Sequence, residues 1–269
     1  MTIIGSDESV LWLCCAHCEV SRRAGGTTFY TLYAQMNPKE FLPHIAYDSV
    51  IFGFSGDKLK ILIMEYHNTK LFALPGGFVR TDEALNDAVR RGLKERTGLD
   101  DIFLEQFYTF GDMARFKPEV MKTIMQGLND KVPDNHWLLD RFISVAYYAL
   151  IDYKQVVPRP DAISDSCTWY DVDSLPKLIL DHQKIVDKAL QTLRQNLDHK
   201  LTNLLPEKFT MKELQSVYEA ILGGKLRRTT FQRKLLASDL LVRHEKLYNG
   251  GAHKAPFLYS FARSGGLES

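Results

Sequence analysis

Three groupings of side chains in this chain are of the kinds that do chemistry. The first is the stretch 77–99, which runs Gly77-x5-Glu83-x7-Arg91-Gly92-Leu93-Lys94-Glu95-Arg96-Thr97-Gly98-Leu99 directly behind the loop residues Pro75-Gly76-Gly77. The second is Cys14-Cys15-Ala16-His17-Cys18, whose thiolates and imidazole suit zinc. Tetrahedral closure needs a second ligand pair, however, and Cys167 is the one cysteine elsewhere, so no metal and no cofactor are expected. The third is a basic C-terminal region. Residues 199–263 hold twelve Lys and Arg against five acids, which leaves 22 basic and 28 acidic residues in the remainder of a chain whose net charge is +1. An acidic body joined to a basic module suits a polyanionic partner.

These groups must be positioned by folded elements, and the composition supports folding. Apolar residues make up 45% and charged residues 25% of the 269, enough for two modest cores. No run reaches the roughly 18 consecutive apolar residues of a membrane span, and no secretory leader is visible at the N-terminus, so a cytoplasmic protein that does not partner a membrane is expected. Crowded cysteines are not a disulfide framework, which fits a reducing compartment. Residues 1–44 read as a partly disordered extension that passes through the loop-like Ala24-Gly25-Gly26-Thr27-Thr28. Val50–Phe54 and Leu59–Met64 flank Ser55-Gly56-Asp57 as a β-hairpin. A helix is predicted from about Asp82 to Arg96, ended by Gly98, and strands over Ile143–Ile151 and Thr168–Val172. Between Arg115 and Asp140 no strand period is legible, and an inserted, mobile or partly helical excursion is expected. Ile185, Val186, Ala189, Leu190, Leu193 and Leu197 recur at helical spacing, predicting a linker helix over 181–200 between a first domain at 45–180 and a second at 201–263, with a tail at 264–269.

The stretch 77–99 resembles the Nudix box, G-x5-E-x7-R-E-U-x-E-E-x-G-U with U a bulky aliphatic. Gly77, Glu83, Arg91, Leu93, Glu95, Gly98 and Leu99 match in register. The resemblance implies that positions 92, 95 and 96, which share one helix face, would carry carboxylates holding divalent cations against a pyrophosphate. This chain has Gly92, Glu95 and Arg96 there. One carboxylate beside an arginine is a poor Mg²⁺ site, so no catalytic residue is assigned and loss of hydrolysis is expected. Gly77, Glu83, Arg91 and Glu95 are expected to brace the loop–helix–loop. Gly92 costs about 1 kcal/mol relative to Ala inside a helix and offers no evident return.

Phe103-Leu104-Glu105-Gln106, Thr109-Phe110-Gly111-Asp112, Arg115, Arg141, Ile143–Leu150 and Asp181-His182 are similar to the Nudix-related transcriptional regulators, over most of residues 45–262. That resemblance implies an α+β fold, a Nudix-type α/β/α sandwich followed by a winged helix-turn-helix domain. It also implies a small-molecule effector, a sugar such as L-arabinose or an ADP-ribose-like nucleotide. The long segment before Arg141 departs from the family pattern beside the expected pocket. Arg80, Asp112, Arg115 and Arg141 are the candidate effector-binding residues.

The C-terminal region has its own grammar. Thr210-Met211-Lys212-Glu213 has capping-box spacing, and Leu214, Val217, Tyr218, Ile221 and Leu222 form an apolar stripe ended by Gly223-Gly224. A second helix is predicted to begin at Thr229 or Thr230, with Phe231, Leu235, Leu236 and Leu240 inside. Arg227, Arg228, Thr229, Thr230, Arg233 and Lys234 would then face a DNA groove. Leu241–Tyr248 and Phe257–Phe261 would form a wing tipped by Lys254. The whole reads as a ligand-responsive regulator, a homodimer on a double-stranded operator. The alternative reading is an active Nudix hydrolase of the ADP-ribose pyrophosphatase type with an accessory basic domain.

Overall fold

One long strand, β1 (Phe41–Ser55), organises the first domain because it pairs on both sides along most of its length. Its first part runs antiparallel to β4 (Gly76–Arg80) and its end antiparallel to β2 (Lys58–Tyr66), while residues Ile45–Gly53 run parallel to β6 (Ile143–Ile151). With β3 (Phe72–Ala73), β5 (Leu104–Phe110) and β7 (Ser164–Asp171) this makes a seven-stranded mixed sheet. Its order is β3-β2-β1-β6-β5, with β4 also on β1 and β7 also on β2. The computed structural model describes residues 36–262 except 56–57, 99–102, 129–131, 152, 154–155, 196, 198–203 and 249–254. The cysteine cluster, most of the expected extension, Leu99, the wing-tip Lys254 and the 264–269 tail therefore lie outside the described residues.

Side chains alternate across a strand, and here both faces are covered. Val50, Phe52, Ile61, Ile63, Tyr148 and Leu150 point to one core. Tyr47, Ile51, Leu62, Met64, Tyr147 and Ala149 point to the other, where α1 (Leu85–Thr97) contributes Ala88, Val89 and Leu93. α1 starts three residues later than its sequence predicts, because residue 83 is used in the preceding turn. Gly98 closes it at φ 75°, donating its N–H to Lys94 O, a conformation that favours glycine.

Among its described residues the segment before Arg141 is partly helical, the second of the two forms expected of it. α2 (Pro118–Gly127) and a 3₁₀ turn (Trp137–Leu139) bury Ile124, Met125, Leu128, Leu138 and Leu139 against Ala73 and Ile179. The end of α2 sits against the β2–β3 turn. A Cβ on Gly127 would stand 2.3 Å from His67 O, and Asn68 Nδ2 donates to Gly127 O at 3.1 Å.

The helix expected as a linker, α3 (His182–Gln195), is instead an outer layer of the sandwich: Ile185, Val186, Ala189 and Leu193 are fully buried on the sheet. The second domain comprises β8 (Phe209–Thr210), α4 (Met211–Leu222), α5 (Arg228–Leu236), β9 (Leu241–Lys246) and β10 (Phe257–Phe261), with the three strands ordered β8-β10-β9. The capping box is made, since Thr210 accepts from Glu213 N and Glu213 accepts from Thr210 N. α5 begins at Arg228, earlier than predicted, and neither Thr229 nor Thr230 is its N-cap. Glu219 and Gln215 of α4 hold Leu226 by its N–H and C=O and set the entry of α5 without a hydroxyl cap. Phe231 and Leu235 face inward, whereas Leu236, expected inside, is 53% exposed because the helix ends there. Leu214, Val217 and Ile221 join the buried cluster of Ile185 and Leu193, and Arg194 Nε donates to Ile221 O at 2.7 Å, so the domains share a core. Among the described residues no helix is long and apolar enough to cross a membrane.

This packing makes α3 sensitive to truncation. Leu193→Ala is expected to cost about 2–5 kcal/mol in urea unfolding, as for a core position. A solvated linker residue would cost under about 0.5 kcal/mol.

Candidate functional site

The loop–helix–loop is held by one carboxylate and one guanidinium. Glu83 Oε1 accepts from Arg80 N at 2.9 Å and from Arg91 Nη2 at 2.8 Å, while Oε2 accepts from Arg91 Nε at 3.1 Å. Arg91 also reaches Phe78 O and, at 3.5 Å, Glu95. Partial burial pushes the Glu83 carboxyl up, but the bonds from Arg91 and the Arg80 amide outweigh it and hold the carboxyl below its usual range. Gly77 faces the Tyr47 hydroxyl from β4, through the pairing Tyr47↔Gly77.

At the positions where the box would place metal-binding carboxylates, the space and the charge are taken. A Cβ on Gly92 would lie 2.2 Å from the Tyr47 hydroxyl, so glycine here is a steric requirement rather than an idle cost. Arg96 is 5% exposed. Its Nη1 donates to Gly92 O, and its Nη2 to Gly76 O and, at 2.8 Å, to Asp161 Oδ2. Glu95 is the remaining carboxylate, and it already faces Arg91. A divalent cation does not fit this set: it would meet one carboxylate, a phenol and a buried guanidinium. Among the described residues no group of three or more His, Cys, Asp or Glu side chains stands ready to hold a metal.

The candidate effector residues separate. Arg80 ends β4, half-buried, with its amide on Glu83. Asp112 and Arg115 belong to one turn, and Arg141 reaches it from the far end of the inserted segment. Asp112 caps the 3₁₀ turn Met113–Arg115, and the exposed Arg141 donates to Gly111 O. Arg115 turns inward and is 7% exposed; its Nη2 donates to Asp48 Oδ2 at 3.1 Å and its Nη1 lies 3.0 Å from Asp181 Oδ1. Ser144 Oγ also donates to Asp48, and His182 Nδ1 accepts from Leu74 N, which leaves Nε2 facing Asp48 Oδ1 at 3.6 Å. This buried network ties β1, the inserted segment and α3 together. Asp48 and Tyr47 were not among the sequence candidates; a carboxylate inside the apolar run of β1 was the available signal for Asp48, and nothing local marks Tyr47.

On the second domain, Arg227, Arg228, Thr229, Thr230, Arg233 and Lys234 are all exposed at the start of α5 and along it. They form a basic and hydroxyl-bearing face that begins at the N-terminus of the second helix of a helix–turn–helix.

The sandwich, its loop–helix–loop and the appended helix–turn–helix with a wing define a Nudix-type domain coupled to a winged helix. Residues 42–192 match the NUDIX domain and residues 201–261 the NrtR DNA-binding winged helix domain, and the chain belongs to the NUDIX family. It is 29% identical over 229 residues to the ADPR responsive transcriptional repressor NtrR of Acinetobacter baylyi, covering 82% of each chain. It is 30% identical over 148 residues to an ADP-ribose pyrophosphatase of Methanocaldococcus jannaschii, covering 54% of this chain and 71% of that one. Its fold is similar to that of NrtR of Shewanella oneidensis, whose structure was solved with a 27mer DNA. The two are 26% identical with a TM-score of 0.60, covering 81% of this chain and 93% of the other.

The buried network makes two expectations. Arg115→Met leaves Asp48 and Asp181 buried without their cation and is expected to cost about 3–5 kcal/mol in urea unfolding. His182 is neutral in the fold: burial, the larger effect, together with Arg115, lowers its pKa below the ordinary value of about 6.5, against the opposing pull of Asp48 and Asp181. The unfolded chain therefore takes up a proton as pH falls through about 6.5 while the folded chain does not. Stability from this residue is full above that pH and is lost below it, down to the folded pKa. The urea midpoint is expected to be lower at about pH 5.5 than at about pH 7.5, and His182→Gln is expected to shrink the difference.

Proposed function

We propose that this chain is a DNA-binding transcriptional repressor whose NUDIX domain binds ADP-ribose as its effector instead of hydrolysing it. The observation that carries this reading is the filling of the box: Tyr47, Gly92 and Arg96 occupy the ground of a metal cluster, while the exposed basic face of α5 stands on the same continuous core. The Acinetobacter relative is named as an ADPR responsive repressor, which supports ADP-ribose over a free sugar such as L-arabinose. The Shewanella protein was crystallised with DNA, which supports a duplex as the partner of α5.

In this reading Arg227, Arg228 and the wing engage phosphates, and Thr230, Arg233 and Lys234 face the major groove. Two such domains would read paired half-sites, so the chain acts as a homodimer. Arg80, Asp112 and Arg141 are the side chains offered to the effector, and the phosphates of ADP-ribose are the groups that arginines suit. The link between the sites is the shared core, with α3 fixed to α4 by Arg194 and Ile221. An effector that prefers one arrangement of α3 shifts the population of DNA-binding states by its difference in affinity. The hydrolase reading draws on the likeness to the pyrophosphatase, but it would have to run on Glu95 alone.

A mobility shift on the duplex upstream of the chain's own gene tests this. A salt-sensitive complex is expected, altered by ADP-ribose equally well with and without a chelator, and unmoved by L-arabinose. Arg233→Ala is expected to weaken binding about tenfold or more, in line with roughly 1–3 kcal/mol for a base contact. The absence of any retained complex would sink the proposal.

A further inference from the structure

Tyr47 stands at the centre of the box although it lies in another element. It is 3% exposed, and the charged groups nearest in effect to its phenol are Arg96, Arg91, Glu95 and Glu83. All four belong to the loop–helix–loop. Its hydroxyl lies 2.2 Å from where a Cβ on Gly92 would be, with Cζ at 3.2 Å, and 2.7 Å from the corresponding point on Gly77. Both contacts are closer than real Cβ atoms approach another heavy atom, and the ring is buried in the close-packed cluster that includes Val79, Val89 and Leu93, so moving it disturbs that core. Arg96 completes the filling from the helix side, with Nη1 at 3.4 Å from the same point and its position fixed by Asp161 and two backbone carbonyls.

We propose that Tyr47 is the residue that bars divalent cations from this domain: it fills the place of the first metal-binding carboxylate, so that no carboxylate can stand at position 92 while the phenol is there. The loss of metal is then a property of two elements, β1 and α1, and not of the helix alone. Restoring the helix residues by Gly92→Glu with Arg96→Glu does not restore a cation site; the β1 residue must change with them. The proposal rests on the non-hydrolytic reading of the domain. Its test reads packing and metal, not DNA or ADP-ribose, so the two can fail separately.

The sign of one substitution is informative. Helix propensity alone makes Gly92→Ala raise the unfolding temperature, because alanine is the better helix former. Collision with Tyr47 makes it lower the temperature, by roughly 4–10 °C for overpacking in a domain of this size. Removing only the hydroxyl, Tyr47→Phe, relieves the closest contact, and in that background Gly92→Ala is expected to cost at most half as much. Mn²⁺ binding, followed by electron paramagnetic resonance, is then compared in Gly92→Glu/Arg96→Glu and in Tyr47→Ala/Gly92→Glu/Arg96→Glu. The folded triple variant is expected to take up Mn²⁺ and the double variant to take up none. Equal losses from Gly92→Ala in the two backgrounds overturn the proposal. So does Mn²⁺ held by the double variant with Tyr47 in place, or a folded triple variant that holds none. Where the metal variants do not fold, the Tyr47–Gly92 cycle decides alone.

Discussion

A carboxylate in the middle of an apolar sheet has to be compensated where it stands, since water cannot reach it and an uncompensated buried charge costs several kcal/mol. Asp48 is that carboxylate. Burial alone would push its pKa up, yet His182, Arg115 and the Ser144 hydroxyl hold it below its usual range, and with His182 neutral the Arg115 guanidinium is the cation that matters. To supply the cation, the turn at Met113–Arg115 must be drawn onto the sheet. To share the cation, Asp181 must sit at the head of α3. The inserted segment, the central strand and the outer helix are thereby placed by one set of ionic contacts, and the network works as a positional constraint more than as a source of stability.

Next to Asp48 on the same strand is Tyr47, whose side chain points the opposite way, as strand alternation demands. Asp48 reaches the layer that carries α3, and Tyr47 reaches the layer that carries α1 and the box. The dipeptide therefore touches both halves of the sandwich, one by charge and one by shape. On the proposed reading, the Nudix-type scaffold keeps its Glu83–Arg91 brace and a fixed loop–helix–loop while giving up the metal and the hydrolysis that depends on it. What such a scaffold can still offer is recognition, and the winged helix provides the place where recognition changes an outcome.

Much of this architecture is legible in the sequence because strands buried on both faces write continuous apolar runs, and because Gly98, Gly223 and the Thr210–Glu213 box are local signals with local causes. Other features are not local. The period of Ile185, Val186, Ala189 and Leu193 announces a helix but not its partner, so α3 reads as a linker when it is a wall of the first domain. Ile124 and Met125 give too short an apolar face to mark α2, and their partners Ala73 and Ile179 come from distant segments. Thr229 and Gln232 have the spacing of a cap, but the turn before α5 is governed by Glu219 and Gln215 of the preceding helix. Arg115 reads as a loop charge because Asp48 and Asp181 are remote in sequence. The demand for glycine at position 92 is invisible for the same reason, since the atom that imposes it belongs to β1.

On the proposed reading the NUDIX domain binds ADP-ribose and leaves it intact. Phosphorus NMR of ADP-ribose incubated with the protein and Mg²⁺ separates binding from cleavage. The diphosphate signals are expected to persist, broadened or shifted by binding, with no AMP or ribose phosphate formed. Accumulation of AMP that is abolished by Glu95→Gln would contradict it.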